Sequence, residues 1–395
     1  MSRVITGLEK ISSQPELTNN YKGNVALLCH SASVTPEYEL AVEVFIRVFG
    51  ERFTKIFGPQ HGLVSDVQDN MIETDHYTHP YFKRPVYSLY SETRVPTDEM
   101  LKDIDVFFID LQDVGTRVYT YISTMGLLME RCQELGIKVV VLDRPNPVGG
   151  EIIEGNVLEE DFKSFVGHYK IPQRHAMTMG EVANFAKKYQ SPKCDLEVIK
   201  MDNWNRSMFF KDTNLPWVNP SPNLPTMDGA ITFAGTVLYE GTNVSEGRGT
   251  TRALEVIGHP SIEPFSFTKK LNQEFSKTDL EGFILRPLVF MPTFHKHASK
   301  PCGGVHIHVS DASKFKSWAV SQIICKALFH ELGDSFEWVK KPYEYEFEKL
   351  AIDLINGSDK VRKWIESNGS YTELQNIEAE QMDDYLSKRS ECLLY

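Results

Sequence analysis

Carboxylates, arginines and amides of this chain concentrate in loop-like stretches. Glu92 stands in Tyr87-Ser88-Leu89-Tyr90-Ser91-Glu92-Thr93-Arg94-Val95-Pro96. Tyrosines and a leucine around a carboxyl raise its pKa by desolvation, as a general acid requires. The competing reading is a solvated loop glutamate. Asp110 and Asp113 close the run VFFIDLQD, with Arg117 shortly after, and Asp143 and Arg144 end another apolar run. Each aspartate has the chemistry for acid–base work. An Asp at a strand terminus commonly holds a loop through backbone amides instead, and that reading is favoured for at least two of the three. Asn243, Glu246 and Arg248 share the Gly-rich stretch EGTNVSEGRGTT (Glu240–Thr251). Glycines let backbone approach a ligand, and Arg248 has the fork to clamp a carboxylate. The alternative is a tight-turn loop with no ligand.

His306 and His308 would share one face of the strand Gly304–Val309, with His295 and His297 nearby. Two histidines at i, i+2 can ligate a metal, but no third ligand is evident, so a polar strand face is preferred. No GxGxxG follows the first strand, and no GxxxxGK[ST], HExxH or GxSxG occurs, which removes the motif support for dinucleotide, P-loop, zincin and serine-hydrolase chemistry.

These loops follow apolar runs. Val25–His30, Lys55–Phe57, Val106–Leu111 and Lys138–Leu142 read as buried strands, and Glu37–Gly50 and Tyr121–Leu135 as helices closed by Gly50 and Gly136. Alternating strands and helices at this spacing mean βαβ units and a parallel sheet. Ligands of open parallel sheets bind beyond the carboxyl ends of the strands, where the polar segments cluster. Leu215–Pro225 is too Pro-dense for helix or central strand and reads as an ordered loop or hinge. The remainder reads as a second α/β module, with the strand Gly304–Val309 and helices near Ser317–Glu331, Tyr345–Asn356 and Asp359–Ser367. The expected architecture is a Rossmann-like parallel-sheet domain over 1–230 and a smaller α/β domain over 231–395.

The chain of 395 residues suits two domains at about 100–200 residues each. Its formal charge of −12, from 54 acidic and 42 basic side chains, disfavours nucleic acid or an anionic membrane as the main partner. It leaves room for an anionic small substrate held by local arginines. Six scattered cysteines without a CxxC pair read as buried free thiols. The start shows no apolar signal region and no run spans a membrane, so the expectation is a cytoplasmic protein, or a periplasmic one if a leader has been removed.

Several long motifs occur in order: GPQHG (Gly58–Gly62), SLYSETRVPT (Ser88–Thr97), DLQDVGTRVYTYISTM (Asp110–Met125), LDRPNPVGG (Leu142–Gly150), FVGHYKIPQRHAMTMGE (Phe165–Glu181), LPWVNPSPNLPT (Leu215–Thr226) and EGTNVSEGRGTT. Together they resemble the DUF1343 family, associated with exo-β-N-acetylmuramidases of the NamZ type, glycoside hydrolase family 171. The resemblance covers nearly the whole chain. It implies a cleft between a Rossmann-like domain and a smaller one, and release of N-acetylmuramic acid from the non-reducing end of peptidoglycan fragments without a cofactor. It also implies that Glu92 is catalytic. Three positions depart from the family pattern: Ser91 and Ala176 replace glycines, and Ala253-Leu254-Glu255 replaces PFE. The first two exchange small residues, whereas the third is expected to reshape the rim.

On this reading Glu92 is the general acid, and the second group lies among Asp110, Asp113, Asp143 and Glu246, unless the substrate's acetamido group assists. Arg248, Arg144 and then Arg117 are the candidates for the sugar's lactyl carboxylate. His61, His175, Asn223 and Asn243 are candidates for its hydroxyls or acetamide. The partners implied are peptidoglycan-derived disaccharides or muropeptides. The alternatives are a non-catalytic muropeptide-binding protein and an amide or ester hydrolase on the same scaffold. Glu92→Gln should fold normally and lose about 10²–10⁴-fold in turnover of a substrate with a poor leaving group, and near-wild-type rates there would remove it from catalysis. Activity should survive EDTA unchanged; a loss restored by one divalent metal would show that the histidines were misread.

Overall fold

The computed structural model describes residues 2–66, 68 and 72–395. Strands β1 (Val25–Cys29), β2 (Phe53–Gly58), β3 (Tyr77–Thr78), β4 (Pro85–Ser88), β5 (Val106–Asp110), β6 (Lys138–Leu142) and β7 (Leu196–Ile199) form one sheet in the order β3-β4-β2-β1-β5-β6-β7. Every neighbouring pair is parallel except β3 with β4. The period of two divides the side chains between two cores. Ala26, Leu28, Phe107, Ile109, Val139 and Val141 belong to one, and Leu27, Phe108, Val140 and Leu142 to the other. A strand buried on both faces is apolar throughout, which is why these runs stand out in the sequence. Phe45 of the helix Ala41–Phe49 lies 5.1 Å from Phe108 and 5.4 Å from Phe53, ring centre to ring centre, and covers the second core.

Two helices are shorter than their patterns predict. Glu37–Gly50 is helical only over Ala41–Phe49, because Tyr38 is left-handed (φ 65°) and the Glu43 side chain accepts from the Leu40 amide at the helix start. Tyr345–Asn356 is helical only over Ala351–Asn356, because Glu344 (φ 49°) and Tyr345 (φ 67°) are both left-handed. Tyr121–Leu135 ends as expected at Gly136, whose φ of 71° suits glycine.

The second sheet is antiparallel, with β8 (Val256–His259), β9 (Phe283–Phe290) and β10 (Cys302–Val309) in the order β8-β10-β9. Helices Met227–Thr236 and Ser317–Leu332 pack on each other, the first of them also against β10. The two sheets share a core that runs from Phe107 and Ile109 through Met125 and Leu128 to Ile257, Val305, Trp318 and Ile324. Arg286 donates to His308 Nε2 at 3.1 Å and lies 3.2 Å from His306 Nδ1, so a guanidinium occupies the polar face that these histidines share. Among the described residues all six cysteines are buried and unpaired, and no helix is long and apolar enough to cross a membrane.

Arg117 ties the halves together. It is fully buried and donates to the carbonyls of Asn156, Ile171 and Ile355 at 2.9, 2.8 and 3.1 Å. Burial alone pushes its guanidinium down to about 9, so it stays charged at neutral pH. Arg117→Ala takes the donor from the Asn156 and Ile355 carbonyls, while Ile171 keeps the Leu158 amide, so at about 1–3 kcal/mol each urea denaturation should show a loss of about 2 kcal/mol or more. A change below about 0.5 kcal/mol, the scale of an ordinary surface substitution, would contradict this role.

Candidate active site

The sheet order reverses at β1, which has β2 on one side and β5 on the other. Loops leaving the carboxyl ends of these strands diverge there and open a crevice. His30, just past β1, is buried and held neutral. Its Nε2 accepts from the Gln112 amide at 3.1 Å and its Nδ1 lies 3.2 Å from the Tyr121 hydroxyl, while burial drives its pKa down to about 3. Tyr121 and Tyr119 both donate to the Pro220 carbonyl, at 2.9 and 2.8 Å, and so pin the Pro-rich loop over the sheet edge.

Beside this loop lies a narrow cleft of about 50 Å³, walled by both halves of the chain. Gln60, His61, Thr120 and Ser221 come from the parallel-sheet half; Glu240, Arg248, Leu254, Tyr343 and Glu344 come from the other. A wider hollow of about 510 Å³ is lined by Ser31, Ser65, Gln68, Trp217, Asn219 and Pro222. Glu344 is buried, and the Tyr90 hydroxyl lies 2.9 Å from both of its carboxylate oxygens. Gln60 Nε2 donates to it at 3.1 Å. Burial pushes the Glu344 carboxyl up to about 7 and the charge of Glu240 adds to the rise, against the opposing effects of Tyr90, Arg94 and Gln60. Glu240 is met by Arg248 Nη2 at 2.5 Å and by the Tyr343 hydroxyl at 2.7 Å. Two carboxyls thus share one cleft in unlike surroundings.

Arg94 flanks this group. Its guanidinium carbon lies 3.9 Å from the centre of the Tyr90 ring and 4.4 Å from that of Tyr345. Nη1 donates to the Ser91 carbonyl at 2.6 Å, whereas Nε and Nη2 are buried without a hydrogen-bond partner among the described residues.

Of the residues expected from sequence, His61 and Arg248 line the cleft. His61 Nε2 lies 3.4 Å from Ser221 Oγ. Arg248 is compensated by Glu240 and by Glu246, the latter at 3.2 Å, which leaves it no net charge to offer a ligand. Glycine at 249 serves the chain itself, since a Cβ there would stand 2.8 Å from the backbone of Thr293 and Phe294. Glu92 is exposed on the loop after β4, so the burial expected around it is absent.

The other candidates lie elsewhere. Asp110 is fully buried in a two-point pair with Arg144, at 2.6 and 2.8 Å. Asp143 accepts from the Arg144 and Gly180 amides and from the Thr178 and Tyr395 hydroxyls. Asp113 accepts from the Gly115 amide at 2.7 Å, and burial lifts it to about 7, but it lines no part of the cleft. His175 is fully buried, its Nδ1 accepting from the Met177 amide, and burial holds it neutral with a pKa of about 3. Glu246 is fully buried, and Lys296 and Arg248 outweigh its burial, bringing it down to about 2. Asn243 exchanges hydrogen bonds with the segment Ser335–Glu337, and Asn223 Nδ2 donates to the Gln68 carbonyl. Arg117 is the inter-sheet tie already described.

Sequence reasoning passed over Glu344, Tyr90, Arg94, Glu240 and Gln60. One signal was available: Tyr343-Glu344-Tyr345-Glu346-Phe347 alternates aromatic and acid, a period no amphipathic helix has. Of the three departures, Leu254 forms part of the cleft wall. Ala176 sits at φ 53°, where glycine would be unstrained.

The family model of the N-terminal part of the exo-β-N-acetylmuramidase NamZ matches residues 25–228, and that of its C-terminal part matches 231–395. The peptidoglycan β-N-acetylmuramidase NamZ of Bacillus subtilis (strain 168) is 39% identical over 394 residues, covering 100% of this chain and 92% of that protein. Two crystal structures of DUF1343 family proteins from Bacteroides fragilis NCTC 9343 superpose with TM-scores of 0.87 and 0.75, at 30% and 27% identity, each covering 100% of this chain and 99% of the other. With both family models in register on a cleft that both halves build, the chain belongs to the NamZ exo-β-N-acetylmuramidase family.

Proposed function

We propose that this protein is an exo-acting glycoside hydrolase that releases N-acetylmuramic acid from the non-reducing end of peptidoglycan fragments. Beyond family membership, the observation that carries the reading is Arg94: a cation stacked between two tyrosines, with free donors and no carboxylate partner among the described residues. N-acetylmuramic acid differs from N-acetylglucosamine by a lactyl ether that ends in a carboxylate. A planar guanidinium without a carboxylate partner among the described residues has the shape and charge to match that group. Glu92, the carboxyl to which the resemblance assigns catalysis, stands two residues beyond Tyr90 in the chain and is exposed. The wider hollow beside the Pro-rich loop has the room for the sugar, and the narrow cleft between the halves lies next to it, with Ser221 on one and Pro222 on the other.

The amide or ester hydrolase reading has one observation behind it, the 3.4 Å contact between Ser221 Oγ and His61 Nε2. Product analysis with N-acetylmuramyl–N-acetylglucosamine separates the readings. Release of N-acetylmuramic acid supports the glycosidase, cleavage of a muropeptide amide that Ser221→Ala abolishes supports the other, and binding without turnover supports neither enzyme.

Arg94→Ala should act mainly on muramic-acid substrates. One charge-assisted hydrogen bond is worth about 1.5–3 kcal/mol, so kcat/KM should fall roughly 10–150-fold and the preference over the plain N-acetylglucosaminide should narrow. Arg94→Lys should restore only part. Arg248→Ala, which removes a compensated structural charge, should lower Tm and slow both sugars alike. Equal losses on the two sugars for Arg94→Ala would sink the assignment.

A further inference from the structure

We infer that Glu344 is the proton donor to the leaving glycosidic oxygen, the position that the sequence reading gave to Glu92. The inference rests on the glycosidase reading above and concerns the division of labour within that cleft. Three consecutive residues from the far half of the chain enter the site together. The Tyr343 hydroxyl holds Glu240 at 2.7 Å, Glu344 lines the cleft, and the Tyr345 ring lies under Arg94. Glu344 and Tyr345 are both left-handed, at φ 49° and 67°. Neither is glycine, asparagine or aspartate, so this backbone is strained and the packing around it must hold it in place. Such a segment, with its carboxyl on the wall of a cleft, is built to present that carboxyl. Of the carboxyls that the sequence offered for the second group, Asp110, Asp143 and Glu246 are each committed to ion pairs or several hydrogen bonds, and Asp113 does not reach the cleft. Glu92 is exposed.

In the reaction the bond between the anomeric carbon and the glycosidic oxygen breaks, and its electron pair stays on the oxygen. That oxygen takes the proton of Glu344 and departs as a hydroxyl. Water supplies the oxygen that the anomeric carbon gains, and its spare proton restores the Glu344 carboxyl over the cycle. Glu240, whose charge Arg248 compensates, faces the same space. Unlike environments for two neighbouring carboxyls are how one site separates acid from carboxylate.

The donor must be protonated, and Glu344 is pushed up to about 7 with Tyr90, Arg94, Gln60 and Glu240 facing it; His61, Arg248, Tyr343 and Tyr345 complete the surroundings. Turnover should therefore be full below that value and fall as pH rises through it. Glu344→Gln should lose about 10²–10⁴-fold on N-acetylmuramyl–N-acetylglucosamine, keep most of its rate on a nitrophenyl muraminide, whose leaving group needs little protonation, and lose the alkaline fall. Glu92→Gln should slow both substrates. Equal losses on the two substrates for Glu344→Gln, or a wild-type rate on the disaccharide, would overturn the assignment. Should that variant not fold, Tyr90→Phe decides. It removes an O–H that favours the charged form, so the alkaline fall must move to higher pH, and an unmoved fall overturns the assignment. If the wild-type protein releases no N-acetylmuramic acid, the glycosidase reading fails and this inference with it. If it does and Glu344→Gln matches it, only the inference fails.

Discussion

Arg144 reaches from the end of β6 to the end of β5 and places Nε and Nη2 on the two oxygens of Asp110, then bonds the Val34 carbonyl in the loop after β1 at 3.0 Å. One side chain thereby joins the ends of β6 and β5 to the loop after β1, beside the point at which the sheet order reverses. A charge taken out of water has to meet an opposite charge or several hydrogen bonds, and removing one partner of such a pair costs about 3–5 kcal/mol. The same constraint recurs through the molecule. Arg174 meets Glu154 with both side chains fully buried, Arg206 meets Glu181, and Arg248 meets Glu240 and Glu246. The pairs of Arg144, Arg174 and Arg206 fix segments of the parallel-sheet half, and that of Arg248 fixes the Gly-rich loop of the other half.

Arg94 and Glu344 differ from these carboxylate–guanidinium pairs. Arg94 has aromatic faces and one carbonyl but no carboxylate among the described residues. Glu344 has hydroxyl and amide donors, and Arg94 is near enough to temper its shift without pairing with it. A carboxyl in that situation retains its proton more readily than one in water, and a guanidinium in that situation retains its affinity for an anion. Asp113 shows that burial alone is insufficient: it is lifted to about 7 as well, yet it lines no cleft.

This also explains what was legible in the sequence. β1, β5 and β6 are apolar on both faces, so their positions follow from composition alone, and Gly136 marks a helix end because its φ suits glycine. The loops at the carboxyl edge could be placed by topology, and with them His61, while Arg248 was marked by its Gly-rich stretch. Which charges cancel could not be read, because partners lie far apart in the chain. Asp110 and Arg144 are 34 residues apart, and Tyr90 and Glu344 are 254 apart. Asp110, Asp143 and Arg144 look catalytic as strand-end residues and are satisfied structurally. Glu344 looked like the approach to a helix because left-handed backbone at non-glycine positions carries no composition signal.

The shared core gives the cleft its geometry. Because the apolar cluster passes without a break from Phe107 to Trp318, and Arg117 crosses from one half to carbonyls of the other, the walls of the cleft are parts of one packed body. A strained pair such as Glu344 and Tyr345 persists only when the surrounding packing is stronger than the strain. Tyr343 immediately before them is buried and bonded to Glu240, and the helix Ala351–Asn356 beyond them is buried along its whole length. Both flanks are therefore anchored. The position of the Glu344 carboxyl is therefore set by the fold and not by its own backbone preference.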